Sequence, residues 1–231
     1  MTRQVTVAAL FHVVILGCAA TTASAQVVAE PAIRWVEIDV GGGFFGAARL
    51  GTADANLRAN DRTEQPFRLF AADHRFARTG AFHVRAARPL GRRWGVEGGF
   101  TVSHPMLRAA VSADVEGAPA LTISETVDQY FFDGGVVFAL EELRLGRVLP
   151  FATAGAGYLR QLHEGQTVIE HGQLFQAGAG VRYPLVSRAS GVVRTAGLRA
   201  DLRAYVMRGG VSVEDRPRPH VAISGSVFVG L

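Results

Sequence analysis

The sequence predicts an all-β protein: an eight-stranded antiparallel up-and-down transmembrane β-barrel preceded by a cleaved signal peptide. Three observations predict this fold class. They are an apolar N-terminal segment, a two-residue hydrophobic period in eight later segments, and the concentration of glycine and charge on the polar side of those segments. The chain has 231 residues with 27 glycines and 19% charged residues, which argues against disorder and against a coiled coil.

The N-terminus has the three parts of a secretory signal peptide. A positive start at Arg3 precedes an apolar run from Val5 to Ala20, and Ala23-Ser-Ala25 forms a cleavage site. The apolar run ends too early for a membrane helix, which requires about 20 residues. Cleavage would remove Cys18, the only cysteine, so the exported chain would have no disulfide. The sequence thus predicts three segments: a signal peptide over 1–25, a short leader over 26–33 and the barrel over 34–231.

Eight segments of the predicted barrel alternate apolar and polar side chains, which is the period of a β-strand. The seventh is the clearest, because Leu198, Ala200 and Leu202 alternate with charged residues. A strand that crosses a membrane needs only about 9–11 residues. The alternating segments are Val36–Val40, Phe82–Ala86, Val96–Val102, Tyr130–Leu140, Ala152–Tyr158, Phe175–Tyr183, Leu198–Val206 and Val221–Leu231.

The connections between these segments differ greatly in length. The first, Gly46–Gly80, is long and polar, whereas Gly91–Arg93 is a tight turn. The third and fourth strands extend over 94–112 and 120–140, about twice the ~10 residues that a crossing requires, so we expect this hairpin to project beyond the membrane. Phe67–Phe70, within the first connection, is either a short strand or a helical turn.

Two counts predict that the polar side of the strands faces the inside of a closed cylinder. Eleven of fifteen strand glycines lie on that side, and a narrow eight-stranded barrel needs such small residues inside. Five acids and four arginines share the same side, and buried charges must nearly balance. The predicted lumen network consists of Glu37, Asp39, Arg85, Glu97, Asp133, Arg182, Arg199, Asp201 and Arg203.

Aromatic residues gather near both ends of the strands, as the two girdles of a membrane barrel do. A soluble sandwich or a lipocalin-like barrel also has one apolar face, so alternation by itself leaves those folds open. The predicted inner girdle is Trp35, Trp94, Phe138, Phe151 and Tyr183, and the outer one is Phe44, Phe82, Tyr158, Phe175 and Tyr205. Not all of them have lipid-facing parity, Trp35 and Tyr205 among them.

The chain resembles the outer-membrane β-barrel domain family, the small eight-stranded barrels that include OmpA-, OmpX- and OmpW-like proteins. The resemblance covers Arg34 to Leu231 and rests on the signal peptide, the strand count, Pro150–Tyr158 and the final strand Val221–Leu231. It implies an outer-membrane location in a Gram-negative cell envelope, contact with outer-membrane lipid, and the barrel-assembly machinery as a partner during biogenesis. The family's last strand usually ends in Phe, whereas this sequence ends in Leu231.

For function, we first expect a non-enzymatic outer-membrane protein with a structural role or a surface interaction role. Its lumen would be filled by the charged network, and Gly46–Gly80 and the hairpin tip Glu116–Pro119 would meet an extracellular partner. The first alternative is a narrow, porin-like channel for small solutes. A second alternative is a lipid-modifying outer-membrane enzyme.

The sequence assigns no catalytic residue, no cofactor and no metal ligand. Ser103 and His104 are adjacent in a strand, so they point to opposite faces and do not pair. His163 and His171 lack a third ligand, and Gly155-Ala-Gly157 is not followed by a helix. The 24 arginines are scattered among 20 acids with a net charge of +4, so no nucleic-acid partner is expected.

Overall fold

A computed structural model of the chain describes residues 36–57, 67–112, 119–165, 168–188, 191–213 and 216–231. The predicted signal peptide and leader lie outside these residues, as do Trp35 and most of the tip Glu116–Pro119. No helix in the described part has the length and apolar character that a membrane crossing requires. The described strands are β1 (Glu37–Phe45), β2 (Ala48–Leu57), β3 (Phe67–Phe76), β4 (Thr79–Pro89), β5 (Trp94–Ser103), β6 (Met106–Ser112), β7 (Leu121–Thr126), β8 (Asp128–Ala139), β9 (Leu149–Leu162), β10 (Ile169–Ser187), β11 (Thr195–Gly209) and β12 (Arg218–Gly230).

Eight of these strands form a closed antiparallel barrel in the order β1-β12-β11-β10-β9-β8-β5-β4. The first and last strands close it, because β1 pairs with β12 from Glu37 opposite Gly230 to Phe45 opposite Ala222. On its other side β1 pairs with β4 along its whole length. Because the barrel is closed, each of its eight strands pairs with a neighbour on both sides, as the backbone N–H and C=O groups of a barrel in lipid require. The predicted eight-stranded antiparallel barrel is confirmed.

The other four strands form a second sheet in the order β2-β3-β6-β7, which we call the outer sheet. The polar connection Gly46–Gly80 therefore contains a hairpin, and Phe67–Phe70 begins one of its strands. The long second hairpin leaves the barrel at His104-Pro105 and returns at Val127. Pro105 has no N–H for the strand ladder, and its carbonyl accepts a hydrogen bond from the Val127 N–H at 3.0 Å.

The short connections all lie at one end of the barrel. They are Leu90–Arg93 between β4 and β5, residues 140–148 between β8 and β9, and residues 188–194 between β10 and β11. The outer sheet and the two remaining connections lie at the opposite end. Barrels of the outer membrane have short periplasmic turns and longer extracellular loops. We therefore call the end with short turns the inner end and the other the outer end.

Apolar side chains cover the outside of the barrel in every direction. Alternate residues of each strand are exposed there, and β9 contributes mostly alanines beside Tyr158. Soluble monomers rarely expose a continuous apolar surface of more than a few hundred Å². The exposed apolar residues include Ile38, Val40, Phe82, Val84, Val96, Phe132, Val136, Phe175, Val181, Leu198, Leu202, Val221, Ile223 and Val227.

Candidate functional site: the barrel lumen

The structure places all nine charged residues of the predicted network on the inner face of the barrel. Eight of them are buried, and the side chain of Arg182 keeps 19% exposure near the inner end. They come from six strands, β1, β4, β5, β8, β10 and β11, so only the closed fold brings them together. Alternation along each strand explains this placement, because charges with the same parity point to the same side.

Arg199 is the centre of the network. Its Nη1 lies 3.1 Å from Asp39 Oδ2, its Nη2 lies 2.9 Å from Glu97 Oε2, and its Nε lies 2.9 Å from Asp201 Oδ2. Arg203 contacts two of the same acids through its Nη2, at 2.8 Å from Glu97 Oε1 and 3.1 Å from Asp201 Oδ1. The planar guanidinium group suits such multiple carboxylate contacts.

The remaining ion pairs lie around this centre. Arg85 Nη1 lies 3.4 Å from Asp201 Oδ2 and 3.9 Å from Asp39 Oδ2. Arg182 Nη2 lies 3.1 Å from Glu37 Oε1, which forms a pair nearer the inner end. Each arginine therefore has an acidic neighbour, and this offsets the cost of removing the charge from water.

Sequence analysis missed the neutral side chains that complete the network. Gln176 Nε2 donates to Asp133 Oδ1 at 2.8 Å, and its Oε1 accepts from Arg203 Nη1 at 2.7 Å. The Thr153 hydroxyl donates to Glu97 Oε1 at 3.1 Å. Both residues lie on the polar side of their strands, so the same parity that predicted the charges could have identified them.

An apolar layer lies in the lumen on the outer side of the network. The rings of Phe45 and Phe131 stack with centroids 5.2 Å apart, and Tyr205 lies 5.5 Å from Phe45. A cavity of only about 10 Å³ remains next to Arg203 and these rings, at the lower bound of what one water needs. The buried members of this layer are Phe45, Phe131, Leu159, Leu174, Tyr205, Met207 and Ala222.

Two aromatic residues assigned to the lipid girdles lie inside the barrel instead. Tyr205 belongs to the apolar layer, and Phe151 lies on the inner side of the network. The Phe151 ring centroid is 4.6 Å from the Arg199 guanidinium carbon and 5.1 Å from that of Arg182. The girdle prediction was wrong for Phe151, whereas Tyr205 lies inside as its parity indicated, because strand parity decides the direction of a side chain and position near a strand end does not.

The inward glycines provide space for large side chains from neighbouring strands. A Cβ atom at Gly180 would lie 2.5 Å from Phe151 Cζ, and one at Gly178 would lie 2.9 Å from Arg203 Cγ. The space beside these two glycines is therefore occupied by the Arg203 side chain and the Phe151 ring. A cavity of about 240 Å³ does open at the inner end, where Phe151 and Arg182 contribute to its lining.

Adding a side chain at Gly180 should destabilise the barrel. We expect Gly180→Val to lower the free energy of unfolding by about 1–3 kcal/mol, because the new methyl groups overlap Phe151. The matched control is Ala179→Val on the lipid-facing side, which should change stability by less than about 0.5 kcal/mol. Urea unfolding in micelles measures both, and equal effects of the two variants would contradict this packing.

The remaining candidate residues form separate polar pairs at the outer end. The Ser103 hydroxyl donates to Gln129 Oε1 at 3.3 Å, whereas His104 Nδ1 lies 2.7 Å from Asp128 Oδ1. His163 Nδ1 lies 2.9 Å from a carboxylate oxygen of Glu125 and contributes to no nucleophile–base pair among the described contacts. His171 instead contacts the Tyr158 hydroxyl. In the described ranges, no group of three or more His, Cys, Asp or Glu side chains has the arrangement of a metal site.

A closed strand order, an apolar exterior and a buried ionic interior together define a membrane-spanning β-barrel of the outer-membrane type. In such a barrel the alternating strands face lipid on one side and the lumen on the other. This assignment rests on the geometry of the chain itself. It agrees with the fold class that the sequence predicts.

No protein-family model matches this chain, and no curated protein sequence matches it. The chain is similar in structure to the outer membrane protein OprG from Pseudomonas aeruginosa, with 10% identity, a TM-score of 0.45, and coverage of 86% of this chain and 97% of that one. It is also similar to Ail, the attachment invasion locus protein of Yersinia pestis, with 13% identity, a TM-score of 0.36, and coverage of 84% and 98%. The outer membrane protease OmpT from Escherichia coli gives 7% identity, a TM-score of 0.34, and coverage of 85% and 95%.

Proposed function

We propose that this protein is a non-enzymatic outer-membrane barrel with a closed lumen, which acts through the surface that it presents at its outer end. The observation that carries the proposal is the filling of the lumen by two successive layers. The ionic network centred on Arg199 occupies the middle, and the stacked rings of Phe45 and Phe131 lie on its outer side. Water and solutes would have to displace both layers to pass.

The outer sheet supplies the surface for interaction. Among the described strands, none pairs with the second side of β7, and Leu121 and Ile123 in this strand are 58% and 56% exposed. An exposed sheet edge accepts an extended segment from another protein through backbone hydrogen bonds, and apolar side chains add affinity. Elsewhere in the outer sheet there are charged residues. Among them, Arg49 of β2 and Asp73 of β3 form an ion pair at 3.5 Å.

The chemistry of the described residues supports a role without catalysis. Ser103 is buried against Gln129, while His104 pairs with Asp128 outside the lumen, so neither forms a nucleophile–base pair. The signal peptide, the leader and the barrel-assembly machinery remain predictions from the sequence. The absence of a nucleic-acid partner is likewise a prediction, as is the extracellular partner.

Planar bilayer recordings test the closed lumen. We expect the purified protein to insert without discrete conductance steps, because the ionic and apolar layers fill the cross-section. A porin reconstituted in the same bilayers shows that the recording detects open channels. Insertion should be verified independently by the heat-modifiable gel mobility of protein recovered from the bilayer lipid. Reproducible single-channel steps from the inserted protein would contradict the proposal and favour the narrow channel.

A further inference from the structure

Positive charge is concentrated at the inner end of the barrel. The short turns there, with the adjoining strand end, hold seven arginines and two glutamates, a net charge of +5 in a chain whose total is +4. The formal charges of all other residues in the chain therefore add up to −1. These arginines are Arg88, Arg92, Arg93, Arg144, Arg147, Arg188 and Arg194, and the glutamates are Glu141 and Glu142.

Among the described residues, two of these arginines have an acidic partner within 4.0 Å. Arg92 lies 3.7 Å from Glu141, and Arg93 lies 2.6 Å from Glu142. No carboxylate among the described residues lies within 4.0 Å of Arg144, Arg147 or Arg188, and the lumen acids are held by the arginines of the network. The positive charge of these three side chains is therefore available to an external anion.

The three arginines line one groove at the inner end of the barrel, which we call the inner arginine groove. Arg144 and Arg147 come from the connection between β8 and β9, and Arg188 follows β10. The groove has a volume of about 440 Å³, which is within the range of small-molecule sites. Its floor is Pro184–Ser187, and Leu185 within this segment is 53% exposed.

The apolar floor of the groove continues into the lipid-facing side of the barrel. Val181 and Tyr183 lie on the exposed side of β10, and the bulge at Leu185 is followed by the exposed Val186. At the same end, the rings of Trp94 and Phe138 contact each other with centroids 4.7 Å apart, and such aromatic residues mark the level of lipid headgroups. A molecule in this groove would have its charged part beside the arginines and its apolar part against the barrel wall.

We propose that the inner arginine groove binds the headgroup of an anionic phospholipid from the inner leaflet. Guanidinium groups bind phosphate oxygens through paired hydrogen bonds, and β10 provides the surface along which acyl chains would lie. This inference rests on the assignment of the apolar exterior to lipid and does not depend on whether the lumen is closed. A bilayer recording that shows conductance would therefore leave the groove proposal intact.

Native mass spectrometry of the full chain in detergent tests the proposal, with phosphatidylglycerol and phosphatidylcholine as the two probes. The wild-type protein should retain phosphatidylglycerol in preference to phosphatidylcholine. Each basic residue near an anionic surface changes binding by a factor of about five, so the triple variant Arg144→Gln, Arg147→Gln and Arg188→Gln should raise the apparent Kd for phosphatidylglycerol by about 100-fold. Its weak retention of phosphatidylcholine should stay unchanged.

The control variant removes three exposed arginines from the outer end, through Arg75→Gln, Arg78→Gln and Arg208→Gln. This control should bind phosphatidylglycerol as the wild type does. Equal retention of the two lipids by the wild type would overturn the proposal, as would an equal loss in the control. Glycerol phosphate should compete poorly, because it lacks acyl chains. If it displaces the lipid at equal concentration, the groove binds free phosphate and the lipid assignment is wrong.

Discussion

Replacing Arg199 with leucine is expected to lower the free energy of unfolding by about 3–5 kcal/mol. The guanidinium group contacts Asp39, Glu97 and Asp201, and all three carboxylates are buried. Leucine leaves these buried charges with fewer partners, and the loss of a partner from a buried charge costs more than the net contribution of the ion pair. Urea unfolding in lipid vesicles, followed by tryptophan fluorescence, measures the change.

A second substitution distinguishes lost ion pairing from lost packing. In the Arg199→Leu background, Asp201→Asn removes one of the uncompensated charges and should restore part of the lost stability, whereas the same change in the wild type should destabilise. Arg194→Leu is the matched control, since Arg194 is exposed just before the same strand. It should change stability by less than about 0.5 kcal/mol. An Arg199→Leu variant as stable as this control would contradict the network.

Replacing Leu202 with arginine is expected to lower the stability of the inserted barrel by about 2–4 kcal/mol. Leu202 lies near the middle of β11, pairs with Ala179 and Ile223, and is 56% exposed on the outside of the wall. Arginine at this position would place a charge in hydrocarbon. The folded fraction, read from heat-modifiable gel mobility after insertion into vesicles, should fall accordingly.

Leu121 provides a control for Leu202, because its side chain has a similar exposed fraction but lies in the outer sheet and not on the barrel wall. It is 58% exposed in β7 of the outer sheet, where the side chain meets water. We expect Leu121→Arg to change stability by less than about 0.5 kcal/mol, as is usual for surface substitutions. If Leu121→Arg and Leu202→Arg reduce the folded fraction equally, the outside of the barrel is not in lipid.

Local alternation predicted most of the barrel because it depends only on neighbouring residues. In β11 the apolar side chains that begin at Leu198 alternate with the charged side chains that begin at Arg199. This one segment therefore predicts which face of the strand is apolar and which is charged. Of the outer sheet, the projecting hairpin of β6 and β7 was predicted, whereas β2 and the pairing of β3 with β6 were not, because they depend on residues far apart in the chain. Ala48–Leu57 is rich in small and polar residues, and β3 finds its second partner in β6, far away in the chain.

All nine charged residues of the predicted network lie on the inner face, but the prediction omitted the buried His83, whose Nε2 lies 3.5 Å from Asp39 Oδ1, and the neutral partners. Charge on an otherwise apolar strand is a strong signal, whereas Gln176 and Thr153 look like ordinary polar residues until Asp133 and Glu97 are placed beside them. The inner arginine groove was not predicted for the same reason. Arg144 and Arg188 belong to separate turns that the pairing of β9 with β10 brings together, so no local sequence pattern predicts them.

The most direct test of the account is a spin-label scan of β11. In a variant with Cys18 replaced by serine, single cysteines at positions 198 to 206 would carry a nitroxide, and collision with oxygen and with a water-soluble nickel complex would be measured in vesicles. Even positions should collide with oxygen and not with nickel, because they face lipid, and odd positions should collide little with either. Nickel access at the even positions, or no alternation, would contradict a lipid-facing apolar side and a closed ionic lumen.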